Sequence, residues 1–131
     1  MRQAIIDHIS GLNLGQFTVS TELPWNSSGE ALYLKNPRRI YVDVAQTTND
    51  NQIATFDGLL FANETTSVRA YFATDAKQLP PGYDDLVTDL RTARNSTDIQ
   101  GVSRRDVEVS TEFADDLLVT TLEFSFTKFI N

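Results

Sequence analysis

The chain contains no cysteine. That excludes disulfide staples, thiolate nucleophiles and thiolate metal sites, and it fits a reducing cytoplasm or a secreted protein that needs no cross-link. It contains one histidine, His8. A catalytic or metal-binding imidazole needs partners, and none sits at ligand spacing around it, so His8 reads as a surface helix residue. The six glycines are scattered at positions 11, 15, 29, 58, 82 and 101, which leaves no phosphate-cradling loop. No Gly-x-Ser-x-Gly elbow is present. No apolar run approaches the ~20 residues that cross a bilayer. The opening Met1–Asp7 does not read as a secretory signal, because its apolar stretch is short and Asp7 interrupts it. Basic residues are scarce: 11 Lys and Arg stand against 18 Asp and Glu, a net charge of −7. The only adjacent basic pairs are Arg38-Arg39 and Arg104-Arg105, too few for counterion-release binding to nucleic acid.

What is present suits one α+β domain over residues 1–131. That length buries a sizeable core, and 40% hydrophobic with 22% charged residues is ordinary for a globular protein. The clearest pattern closes the chain. Val107, Val109, Thr111 and Phe113 alternate with Glu108, Ser110 and Glu112. After Asp115-Asp116, Leu118, Leu122, Phe124 and Phe126 lie on one face, with Glu123, Ser125 and Thr127 on the other. Period-two alternation is the strand signature, and the aspartate pair suits a turn. A two-residue loop there pairs Phe113 with Leu118, Thr111 with Thr120, Val109 with Leu122 and Val107 with Phe124. A slip of one residue sets Val107 against Glu123 and turns half the apolar side chains to water. We expect this hairpin at the centre of an antiparallel sheet with one buried and one wetter face.

Upstream, Ile5, Ile6, Ile9 and Leu12 form the apolar stripe of a short helix over residues 2–12, stopped by Gly11 and Asn13. Strands are expected over Gln16–Leu23, Arg39–Thr47 and Glu64–Thr74. Asn49-Asp50-Asn51 is a turn signal, an extra hairpin is possible over residues 47–61, and Asp57-Gly58 is a break. In the last of these strands Val68, Ala70 and Phe72 share one face, and Ser67, Arg69 and Tyr71 the other. Pro80-Pro81 opens a second helix with Asp84 and Asp85 in its first turn, Arg91 and Arg94 in its last, and a Tyr83, Leu86, Val87, Leu90 stripe. The expected fold is α+β: a mixed or mostly antiparallel sheet of four to five strands, two helices packed on one face, and a C-terminal β-hairpin.

No catalytic constellation emerges. Asp84-Asp85 and Asp115-Asp116 read as helix-start and turn residues rather than metal or acid–base pairs. The two arginine pairs read as charges at strand entries, or as contacts for an acidic partner. The unusual feature is apolar and aromatic material in connections: Trp25, Leu32, Tyr33 and Leu34, then Phe56, Leu59, Leu60 and Phe61. It reads either as a flap over the core or as an association surface, since Trp and Tyr dominate interface hot spots.

The order of elements carries a resemblance. An N-terminal helix is followed by strands that include Ser67-Val68-Arg69-Ala70-Tyr71-Phe72, and then by the acidic helix of Pro80-Pro81-Gly82-Tyr83-Asp84-Asp85-Leu86-Val87-Thr88-Asp89-Leu90. The chain closes on Thr120-Thr121-Leu122-Glu123-Phe124-Ser125-Phe126. This pattern resembles the tail terminator proteins of long-tailed bacteriophages, best at the second helix and closing hairpin and least over residues 24–63. The resemblance implies a virion structural protein assembled in the host cytoplasm. It implies a ring, usually a hexamer, that caps the tail tube, stops its polymerisation and offers a surface to a head-completion or neck protein. Its partners would be itself, the tube protein and the neck, with no cofactor, enzymatic activity, nucleic-acid sequence recognition or membrane. The candidate interface residues, assigned from their apolar or basic character, are Trp25, Leu32, Tyr33, Leu34, Arg38, Arg39, Phe56, Leu59, Leu60 and Phe61. The alternatives are another phage neck or tail-completion protein, and a small dimeric α+β module with a ligand cleft under residues 24–37.

Overall fold

A computed structural model describes residues 2–12, 14–43, 46–56, 59–96 and 102–130, with no side-chain description for 46–64, 95, 96, 102–104 and 128–130. Asn13, Asp57 and Gly58, read above as a stop and a break, and Val44 and Ala45 of the expected Arg39–Thr47 strand lie outside the described residues.

The chain is α+β. Helices are α1 (Arg2–Ser10), α2 (Leu32–Lys35), α3 (Tyr83–Arg91) and α4 (Ala93–Ser96). Strands are β1 (Thr18–Val19), β2 (Arg39–Val42), β3 (Gln46–Phe56), β4 (Leu59–Asp75), β5 (Val102–Ala114) and β6 (Leu117–Ile130). The sheet runs β1-β2-β4-β6-β5, and β3 pairs with β4. Among the described strands only β1 and β2 run parallel; every other pair is antiparallel. Because β6 lies along β4 from Ala62 to Asp75, β2 and β3 share β4's opposite edge, β2 at Ala70–Tyr71 and β3 at Leu59–Ser67.

The closing hairpin has the expected register, with Val107 opposite Phe124, Val109 opposite Leu122, Thr111 opposite Thr120 and Phe113 opposite Leu118. Asp115 takes a left-handed φ of 54° at the turn, a conformation that aspartate's short side chain tolerates. The hairpin is not the sheet's centre, however. The central strands are β4 and β6, and β5 is an edge.

Ile5, Ile6 and Ile9 of α1, with Leu86 and Leu90 of α3 and Ala93 of α4, pack on Ile40, Val42, Val68, Ala70, Phe72, Leu122, Phe124 and Phe126. Tyr83 at the start of α3 anchors that helix to the sheet, its hydroxyl 2.7 Å from Thr120 Oγ1. Arg2 straps α1 to the sheet end, its Nε donating to the Val42 carbonyl at 2.9 Å. Gly82 precedes α3 with φ 84°, a backbone that a side chain would strain although nothing crowds the space.

Several expectations need correction. The strand expected over Gln16–Leu23 shrinks to Thr18–Val19, because the chain leaves the sheet to cross its other face. The turn expected at Asn49-Asp50-Asn51 is instead strand: β3 continues through it, and a register shift between Asp50 and Ala54 absorbs the irregularity. In place of one strand over Arg39–Thr47, β2 ends at Val42 and β3 begins at Gln46; Ile40, Tyr41 and Val42 are all fully buried, so β2 is covered on both faces. His8 is not a plain surface residue, since its Nε2 is buried with no hydrogen-bond partner among the described residues.

Phe124 lies opposite both Val68 and Val107 in the middle of the helix-covered face. Phe124→Ala is expected to cost ~3–5 kcal/mol, read as a lower denaturation midpoint in urea at unchanged slope.

Candidate functional site

The face of the sheet away from α1, α3 and α4 is roofed by residues 24–37. Tyr71 alternates with Ala70 and Phe72 on β4, so it points to that second face. Tyr33 of α2 stacks on it, ring centroids 5.2 Å apart and 14° from parallel. Trp25 meets both rings edge-on, at 5.2 Å from Tyr71 and 6.1 Å from Tyr33. Such pairs contribute ~0.5–1.5 kcal/mol each beyond the area they bury.

Local chemistry builds this roof. Asn26 Oδ1 accepts from the backbone N–H groups of Ser28 at 3.0 Å and Glu30 at 2.9 Å, closing the Ser27-Ser28-Gly29 turn. Gly29 supplies the positive φ of 80°. The Leu32 N–H donates to the Pro24 carbonyl at 2.7 Å, and Trp25 bridges Ala31. The loop is thus pinned at its base, which holds Trp25 beside α2. Lys35 pairs with Glu30 across the same loop, and that cation with Asn26 holds the Glu30 carboxyl below its ordinary range.

The roof is incomplete at its rim. Trp25 is 39% exposed and Leu23 44% exposed. With Glu22, Asn26 and Leu32 they line a shallow groove of about 460 Å³. Trp25, Leu32 and Tyr33 therefore come together as one apolar surface, and Leu34 beside them is half-buried. Leu23 was not singled out in sequence, because its alternation with Thr21 and Phe17 reads as strand.

Arg38 and Arg39 stand elsewhere, exposed at the entry to β2. Arg38 holds a left-handed φ of 69°. Its N–H donates to Ala73 at 2.8 Å, its carbonyl accepts from Thr18 at 3.1 Å, and its guanidinium donates to Gln16 at 2.8 Å. It is a bracket between β1 and β4. The side chains of Phe56, Leu59, Leu60 and Phe61 lie outside the described residues; their backbone closes the β3–β4 hairpin, with Phe56 opposite Leu59 and Ala54 opposite Phe61. Phe61 and Tyr71 are ten residues apart on one uninterrupted strand, roughly 33 Å at ~3.3 Å per residue. The stretches 25–34 and 56–61 are therefore held well apart within one chain.

A second exposed apolar surface lies on the helix-side face at the opposite edge. Phe113 is 76% exposed and Val109 is 38% exposed. Periodicity marks both as buried, but the helices reach only as far as β6 and the start of β5.

Among the described residues no group of three or more His, Cys, Asp or Glu side chains could hold a metal ion. No described helix is long and apolar enough to cross a membrane. Three further grooves lie around Leu79–Gly82, one with Arg38 and Asp75, one with Asp84 and Asp85, and one with Asp85 and Asp89 beside Leu14, Phe17 and Leu86. Compared with known proteins, the chain matches no family model and no curated sequence.

Burial raises the phenol pKa of Tyr33, and the Glu112 carboxylate raises it further. Burial also raises that of Tyr71, with Asp43 adding to the shift and the Arg69 guanidinium opposing it. A raised folded-state value means that the folded protein holds the phenolic proton more tightly than the unfolded chain. The associated stability is present below the ordinary tyrosine range near ~10 and is lost as pH rises through the folded values. Absorbance titration at alkaline pH is expected to show two late phenols. Tyr33→Phe should remove one of them and flatten the alkaline loss of stability.

Proposed function

We propose that the protein is a virion structural protein of a long-tailed bacteriophage. It is a tail terminator that closes into a ring, caps the tail tube, halts its polymerisation and presents a surface to the neck. The carrying observation is the separation of the Trp25–Leu32 groove from the β3–β4 hairpin end. Two unlike apolar stretches that cannot reach each other within one chain suit a head-to-tail contact, in which one patch meets a different patch on the next copy and rotation closes a ring. The order of elements, which resembles that of tail terminators, supports the same reading. Such work needs shape and association rather than a cofactor, and the half-exposed Trp25 is the kind of anchor on which association concentrates. The acidic surface keeps the free subunit soluble until its partners are present.

Light scattering and native mass measurement are expected to find a closed ring of about six copies, at high concentration or with tube protein added. Trp25→Ala and Leu23→Ser should leave the subunit folded by circular dichroism. Each should weaken association, Trp25→Ala by ~2 kcal/mol or more. Particles made without the protein should carry tails of uncontrolled length or heads without tails in negative stain. A subunit that stays monomeric or dimeric with tube protein present, together with normal particles in its absence, overturns the reading.

A further inference from the structure

β5 is an edge strand of 13 residues. Its inner side is fully engaged with β6 from Arg104 to Ala114. No described strand pairs with its outer side. Unpaired N–H and C=O groups along a flat edge are a template for a further strand, unless charge, proline or a bulge guards it. The chain places no proline in β5, and its one register shift lies at the far end, between Val102 and Arg104.

The two faces of this edge have opposite chemistry. On the helix side, Val109 and Phe113 are exposed apolar side chains with no cover. On the other side, Glu108, Ser110 and Glu112 are exposed. The charges there form an unfinished row. Arg69 of β4 lies opposite Glu123 of β6 and donates to it at 2.9 Å. Glu123 in turn lies opposite Glu108 of β5. Like charges directly opposed across a ladder are unfavourable, and no described cation stands beyond Glu108. A cation on one further strand would balance this doubled carboxylate, so that the row reads positive, negative, negative, positive. The same acidic side disfavours pairing with β5 of a second copy, since antiparallel registers that set Val109 near Phe113 bring carboxylates together or leave them unmatched.

We propose that the outer edge of β5 is a docking site for an added β-strand of a partner protein. That strand carries Lys or Arg opposite Glu108 and Glu112 and apolar residues opposite Val109 and Phe113. In antiparallel register this is an apolar–basic pair repeated after two spacer residues. Main-chain hydrogen bonds supply the binding and the alternate side chains supply the selection. The proposal does not rest on ring formation, which uses other surfaces.

The probe is a fluorescein-labelled peptide, Thr-Val-Lys-Thr-Thr-Val-Lys-Val-Thr, titrated with the whole protein and read by fluorescence polarisation. Saturable binding is expected that weakens at least tenfold when glutamate replaces both lysines, and equally in the Glu108→Lys, Glu112→Lys double variant. These two side chains are exposed, so the variant is expected to fold, which circular dichroism checks. Two further peptides, N-methylated at alternate amides, separate strand addition from plain charge attraction. One methylation pattern should abolish binding and the other preserve it, and the bound state should protect amides of residues 106–114 from hydrogen exchange. Equal binding by both methylated peptides, no binding by the parent peptide, or binding unchanged in the double variant each overturns the proposal.

Discussion

The β4–β6 ladder is the constraint on which the other elements depend. Fourteen residues of each strand, Ala62–Asp75 and Leu117–Ile130, face one another without a register shift. That unbroken phase carries one parity of side chain to each face along the whole sheet. Val68, Ala70, Phe72, Leu122, Phe124 and Phe126 go to the helices, while Tyr71, Ala73 and Val119 go to the opposite face. A one-residue slip would exchange the two sets. Among the described residues, irregularity is confined to β3 and to the start of β5.

Once both faces of the central strands are apolar, each needs a cover, and the chain supplies two unlike ones. Helices give broad cover on one side, with α1 and α3 offering isoleucine and leucine stripes. On the other side the cover is a short looped segment whose aromatic rings substitute for helix area. Trp25, Tyr33 and Tyr71 fill that surface with few residues, because each ring buries much area for two rotatable bonds. The segment is too short to roof the whole face, so its rim stays apolar and exposed. Partial cover is also what leaves Val109 and Phe113 bare at the β5 edge. Among the described residues, the exposed apolar surfaces are in this sense the places where helices and loop stop covering the sheet.

The charges follow the same geometry. Arg69 and Glu123 pair in the partly wet part of the second face, where an exposed ion pair contributes little to stability, ~0–1 kcal/mol. Its interest lies in position, because the next residue outward, Glu108, repeats the negative sign of Glu123 instead of opposing it. Partial burial beneath the aromatic cover raises the phenol pKa of Tyr33 and of Tyr71. Burial there is strong enough to oppose ionisation even with an arginine beside Tyr71.

Period-two alternation on both sides of Asp115-Asp116 was sufficient, by itself, to determine the closing hairpin pair by pair, because a polar residue placed in a dry face is expensive and only one register avoids it. The stripe of α3 was legible for a similarly local reason, the spacing of its apolar residues. The helix-covered core could be read almost residue by residue. What the sequence could not carry was which strands lie at the middle. Alternation gives Phe113 and Phe124 the same appearance, yet one is three-quarters exposed and the other fully buried. That difference depends on how far the helices extend across the sheet, a property of strand order and not of any one strand. The same non-locality turned Asn49-Asp50-Asn51 from a turn into strand, since pairing along β4 outweighs a local preference. It also made Leu23 and Glu108 surface features of interest, because only the assembled sheet shows that nothing in the described chain lies beyond them.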